Sequence, residues 1–405
     1  MIQEIYLRLR NNNIFILTSY KLYLALLFIV WSKNILLVYI EQFVHRLPVV
    51  GRFSDAIIYI FSIICILGAI PHIKKYVHSL DILSFMGIVF VYVVALLWNS
   101  EYLSPKFVDF LGIAVPLYFL GLAFNAKSEL KLMYTISMIT IWCRVLYLLF
   151  FEDKMSFTVA AYAGSMSAAY KILPHVCLVI AMAIKKPNYF SAITAIVGGI
   201  FVFLCGTRGA VLCIIVFIAI FVLLQNKYKR PLLAYSLAGV AVISIYTFYE
   251  TIVNWLSSIA LSVGMSNRIF LRISEGIFWK SSGRNKLYDQ IIEAISKNPI
   301  FGYGMGGDYI ISETYVHNIV LEFLVSYGVI LGSILLGAII YIVYNGIFKS
   351  RDEEVKLFAL VLACSTLVKL CLSGTYLDEM YFFFMLGICI GNNRRVLKIK
   401  KVNYY

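Results

Sequence analysis

His317 is the last of five histidines in a 405-residue chain, and its neighbours are unusual. A glycine-rich stretch, Gly302 to Gly307, precedes it. Asn318 and an apolar run long enough to enter a bilayer follow it. An imidazole at a membrane interface can serve as a general base near neutral pH. It can also be a hydrogen-bonded bystander. Glu322 lies five positions on, within reach if the start of the helix bends. Basic residues supply the other half of a possible chemistry. Arg208 sits in the turn "CGTRGA", whose neighbouring sequence holds no acid. Arg268, Arg272, Lys280, Arg284 and Lys286 meet only Glu275 over nineteen residues. Arg144 and Lys171 are isolated cations within apolar runs. Guanidinium groups hold phosphate or pyrophosphate oxygens bidentately, so these residues are candidates for binding an anion. Their other reading is pairing with lipid headgroups or with acids of the same loop. Gly304 and its neighbours fit either a flexible turn or a nest of backbone N–H groups around an anion. The stretch lacks the lysine and the preceding strand of a nucleotide-binding loop.

The elements that must position these groups are membrane helices. The chain is 61% hydrophobic and 14% charged, against about 45–50% and about 25% in an average soluble domain. Apolar runs near twenty residues recur throughout, each able to cross about 30 Å of hydrocarbon. The fold class expected is therefore an all-α polytopic integral membrane protein. It would have about twelve transmembrane helices and one large outward loop holding short helices. The expected spans are 21–40, 54–70, 80–98, 107–124, 130–150, 164–184, 189–205, 209–225, 231–249, 316–344, 357–373 and 376–391. They group into nine helices over 1–249, a loop over 250–314, three helices over 315–391 and a basic tail over 392–405.

Loop charges orient this arrangement. With the N-terminus in the cytoplasm, the inner segments carry Lys74 and Lys75, Lys127 and Lys131, Lys185 and Lys186, Lys227, Lys229 and Arg230, and the tail carries Arg394 and Arg395. The short outer loops carry fewer cations, so both termini are expected in the cytoplasm. This also explains the formal net charge of +14 without invoking nucleic acid. The eight cysteines all lie in apolar runs and read as small hydrophobes. The first apolar run lacks a small-residue cleavage site and reads as a retained anchor.

Ionisable residues inside spans are functional candidates because burying them is costly. Here Arg144, Lys171, His175, Arg208, Glu322, Lys369, Asp378 and Glu379 all fall towards the outer face. A transporter would instead string polar groups through the midplane. The loop segment "SGRNKLYDQIIEAISKNP" reads as a helix capped by Ser281 or Ser282 and stopped at Pro299. Its apolar face would be Leu287, Ile291, Ile292 and Ile295, lying on the membrane surface or over a cavity. No loop carries an aspartate pair or histidine cluster with metal-ligand spacing. No serine-nucleophile motif is present.

"SGRNKLYDQIIEAISKNPIFGYGMGG", then "HN", then "GVILG" at Gly328 to Gly332, resembles the signature stretch of bacterial O-antigen polymerases and O-antigen ligases. "GTRGA" resembles the same family's arginine turn. The match covers about fifty residues, and elsewhere it is one of topology only. The resemblance implies a metal-independent glycosyltransferase without cofactor in the bacterial inner membrane, its active site facing the periplasm. Arg208, Arg284 and His317 would be its catalytic residues. Arg272, Arg268, Lys280, Arg144, Lys171, Glu322, Asn318 and Gly304 would be substrate-binding candidates. The substrates implied are an undecaprenyl-pyrophosphate-linked glycan donor and acceptor, with membrane lipid around them and a chain-length regulator as a partner. A polymerase is favoured. An O-antigen ligase acting on lipid A–core, a capsular repeat-unit polymerase and a non-catalytic flippase are the alternatives.

Overall fold

The computed structural model describes residues 2–32, 50–150, 159–205, 207–224, 255, 258–259, 262 and 284–402. The described residues are helical, with no strand among them. Helices α1 (Ile2–Ser32), α2 (Val50–Ile73) and α3 (Ser79–Ala95) come first. Then α4 (Ser100–Asp109) continues through a π-turn at Phe110–Ala114 into α5 (Val115–Ala123). Next are α6 (Ala126–Phe150), α7 (Val159–Lys185), α8 (Tyr189–Leu204) and α9 (Arg208–Leu224). After the large loop follow α10 (Arg284–Lys297), α11 (Gly307–Ser312), α12 (Ile319–Phe348), α13 (Glu353–Ala363) and α14 (Met380–Val402).

The helices coincide with the expected spans wherever residues are described. Residues 33–40 of the first span, 225 of the eighth and all of 231–249 lie outside the described residues. Three helical stretches are long and apolar enough to cross a membrane: Ser100–Ala123, Ser167–Lys185 and Ile319–Phe348. Shorter apolar helices accompany them at Ile16–Ser32, Ile60–Ile73, Ser79–Ala95, Tyr189–Phe203 and Arg208–Leu224. Where described, the chain is helical, with candidate membrane spans by length and composition. Asp109 ends α4, at the entry to the π-turn within the continuous helix Ser100–Ala123.

The chain divides into two compact units. Unit 1 comprises Met1–Ile136 with Asn285–Tyr405, and unit 2 comprises Ser137–Arg284. In unit 1, α14 packs against α5 through small residues. Gly387 and Gly391 are four apart, so they lie on one face of α14. A Cβ on Gly387 would overlap the Tyr118 carbonyl, and one on Gly391 would sit 2.5 Å from that of Leu122. Such spacing lets two backbones approach closely where lipid supplies no hydrophobic drive. At the far end of α14, Arg394 forms a two-pronged bond to the buried Asp81, at 2.6 and 2.7 Å. The Tyr118 hydroxyl and the His78 N–H donate to the same carboxylate. Arg395 donates to the carbonyls of Leu122 and Phe124. The two arginines read as orientation markers are therefore also structural ties, and the segment read as a tail remains helical to Val402.

In unit 2, α7 and α8 pack closely. A Cβ on Gly198 would lie 2.9 Å from the Val176 side chain. The Trp142 indole N–H donates to Thr194 at 3.0 Å, tying α6 to α8.

Candidate active site

The loop helix α10 forms as its composition predicts, but its apolar face is narrower. Ile291 and Ala294 are buried, with Leu287, Tyr288 and Ile295 packed around them. Ile292 was expected on this face and is instead 54% exposed. At 100° per residue it is turned away from its neighbour Ile291. The buried face meets Val316, Val325, Tyr303, Ile311 and Leu321. The helix thus packs this face on protein, against the head of α12. Ser281 and Ser282, its expected caps, lie outside the described residues.

Asn298 turns the chain at the end of α10. Its side-chain amide donates to the Gly302 carbonyl at 2.6 Å, and Gly302 N–H donates to the Asn298 carbonyl at 3.2 Å. The chain then runs alongside a break in α12. Gly328 holds φ 75° and ψ 170°, which no helix contains. In a regular helix Val329 N–H would reach the Val325 carbonyl. Here it donates to Pro299 at 2.7 Å, while Val325 accepts from Tyr303 at 2.8 Å and Ser326 accepts from Gly304 at 2.9 Å. The groups freed by the break are satisfied by the glycine loop, as buried backbone requires. The fit is reciprocal. A Cβ on Gly302 would lie 2.5 Å from Gly328 N, and one on Gly328 would overlap the Ile300 carbonyl. The stretch read as a flexible turn or an anion nest is an interlock between loop and helix.

From this interlock the chain is carried to His317. Gly304 passes against Trp98, and Gly306 accepts from the Asn99 side chain at 3.3 Å. The short helix α11 follows, with Tyr309 stacked on Tyr102 at 4.0 Å between ring centroids. Asp308, 0% exposed, accepts the Val316 N–H through Oδ2 at 3.0 Å. Burial pushes the Asp308 carboxyl above the usual carboxylate range, opposed by backbone N–H groups including that of Val316. His317 is half-buried and holds φ +59°, a left-handed conformation that is rare for a residue with a side chain. Its ring centroid lies 4.3 Å from that of Tyr315. Asn318 caps α12, its Oδ1 accepting from Val320 at 2.9 Å and Leu321 at 3.3 Å.

Glu322 was expected to reach His317. It is 1% exposed and takes the Thr375 hydroxyl on one oxygen and Tyr376 N–H at 3.4 Å on the other. It ties α12 to the turn before α14. The Tyr327 and Tyr376 hydroxyls share a hydrogen bond at 2.7 Å beside it. Lys369 pairs with Glu379, and Lys106 with Asp378. Thr375, Tyr376 and Asp308 were not singled out by sequence. Only Asp308 carried a signal, as the first acid after the glycine run.

Unit 2 holds cationic candidates. The Arg144 guanidinium lies over the Phe201 ring, 5.4 Å from its centroid. Lys171 is exposed on α7, and the buried His175 shares a hydrogen bond with Ser137 at 3.1 Å. Arg208 is the first residue of α9, where Ala210 and Val211 donate to the Thr207 carbonyl. Arg284 is half-buried and opens α10. Arg268, Arg272 and Lys280 lie outside the described residues. Among the described residues no three His, Cys, Asp or Glu side chains are grouped as a metal ligand set.

A family model described as O-antigen ligase matches residues 193–336. Over that stretch the chain is similar to the O-antigen ligase and polymerase superfamily. The matched stretch begins in α8 and ends within α12, so it takes in Arg208, Arg284, the glycine interlock, His317 and Gly328. Members of this superfamily are glycosyltransferase-like membrane enzymes, either ligases or polymerases. A comparison with curated proteins gives no match.

Proposed function

We propose that the protein is an O-antigen polymerase, a metal-independent glycosyltransferase that joins undecaprenyl-pyrophosphate-linked repeat units at the periplasmic face of the inner membrane. The acceptor is the sugar hydroxyl of one lipid-linked repeat. Its oxygen attacks C1 of the donor glycan, and the C1–O bond to pyrophosphate breaks. The electron pair leaves with the pyrophosphate and the hydroxyl proton passes to His317. Arg208 and Arg284 hold the pyrophosphate and stabilise the charge it gains. Arg144, Lys171, Arg268, Arg272 and Lys280 add positive charge for the same anion, and Gly304 gives the backbone room beside Trp98.

The observation that carries this reading is the hold on His317. A left-handed histidine stands between Val316, whose N–H is held by Asp308, and Asn318, which caps a membrane-length helix. Residues held in sparsely populated conformations cluster at active sites. A ligase transferring the glycan to lipid A–core is the second reading, favoured by the description of the matching family model.

The test is complementation of a strain lacking its own copy of this protein, with the surface polysaccharide resolved on a gel. The wild-type chain is expected to restore a ladder, and His317→Ala and Arg284→Ala only core bearing one repeat. Mutants that accumulate long chains on undecaprenyl pyrophosphate with none on core would make the protein the ligase. Mutants with a normal ladder would remove the assigned site and reopen the flippase reading.

A further inference from the structure

Glu313 and His317 are the only non-glycine residues with positive φ among those described, at 55° and 59°. They lie four apart and bracket one segment. An L-residue in this conformation is strained, so something must hold both in place. Asn318 holds the far side, through its bonds to Val320 and Leu321. On the near side there is one side-chain anchor to the segment's backbone at Val316. It is Asp308, which accepts the Val316 N–H at 3.0 Å, one peptide before His317. Ser312 secures the turn between them, donating to the carbonyls of Asp308 and Thr314. Asp308 itself is fixed. It is fully buried, sits on α11 behind the Gly306 turn, and its neighbour Tyr309 stacks on Tyr102.

We infer that Asp308 is a positioning residue for His317, holding the imidazole in its working orientation through the Val316 peptide. This rests on His317 acting in glycosyl transfer. A carboxyl oxygen buried away from water accepts the Val316 N–H without solvent competition, which suits it to hold a strained peptide. Loss of the acceptor loosens the peptide that precedes His317, and a shift of φ towards negative values swings the ring. Misplacing a catalytic group by about 1 Å can lower the rate about 10²-fold.

The experiment measures transfer by purified full-length protein on a lipid-linked repeat unit, with wild type, D308A, D308N, H317A and the D308A/H317A pair. Each is compared at equal amounts of monodisperse protein. D308A is expected to lower kcat about 10²-fold with KM little changed. D308N keeps an oxygen acceptor and is expected to recover most of the rate. In the H317A background, D308A is expected to change the residual rate less than about twofold, since a group acting only through His317 has nothing left to act on. An equal loss from D308A in both backgrounds would overturn the inference, as would a D308A rate equal to wild type. A wild-type rate in H317A would overturn the functional reading beneath it, and with it the inference.

Discussion

Two polar regions of unit 1 are built in opposite ways. Around Asp81, side-chain charge makes the structure: Arg394 forks onto a buried carboxylate that also accepts from Tyr118 and His78. Around Gly328, backbone makes it: three main-chain bonds cross between the 299–304 turn and the broken helix α12. The charged region tolerates movement, because long side chains can follow. The glycine region does not, because a Cβ at Gly302 or Gly328 has nowhere to go. The rigid region is the one that leads to His317, and preorganised backbone suits a site where geometry limits the rate.

The largest effect expected is at Gly328. Gly328→Ala forces a side chain into a conformation that only glycine adopts readily, against the Ile300 carbonyl. It should cost on the order of 3 kcal/mol or more. Thermal unfolding in detergent, or the yield of monodisperse protein, would read the loss. A variant with wild-type stability would break the contrast drawn above. Asp81→Ala comes next. It removes the partner of Arg394 and should cost about 2 kcal/mol, while the transfer rate of the protein that survives stays near wild type. A selective loss of rate would tie the two regions together.

Asn318→Ala removes the cap of α12 and should cost about 1 kcal/mol. Because the cap orders the helix start directly after His317, the rate is expected to fall further than the lost stability alone explains. The smallest effect concerns pH. The Asp308 carboxyl titrates above its usual range in the folded protein, so the native state keeps a proton that the unfolded chain releases. Stability should therefore decline as pH rises from the ordinary carboxylate range through the raised value. Asp308→Asn should flatten that slope, measured as unfolding temperature against pH.

Much of the fold was legible in the sequence. Membrane helices announce themselves by apolar length, and α10 by its period and its stop at Pro299. The family signature named Arg208, Arg284 and His317 because those residue types carry chemistry wherever they stand. Other features were hidden for physical reasons. Arg394 and Arg395 looked like orientation markers because a one-dimensional reading cannot see Asp81 or the Leu122 and Phe124 carbonyls. Glu322 looked like a partner of His317 because the two are near in sequence. Its partners, Thr375 and Tyr376, come from more than fifty residues away. The glycines from Gly302 to Gly307 gave no hint of their target, since the donors are backbone N–H groups that every residue has. Gly328 did carry a clue. A glycine within a membrane helix, downstream of a glycine-rich turn, is where two backbones can meet.

The central claim is that His317 takes the acceptor proton during glycosyl transfer. The most direct measurement is the rate at which purified wild type and His317→Ala convert a lipid-linked repeat unit into longer lipid-linked glycan, resolved by mass at equal amounts of folded protein. Loss of a general base predicts a fall of about 10²–10⁴-fold, with the donor still bound. A mutant rate within about twofold of wild type would contradict the account.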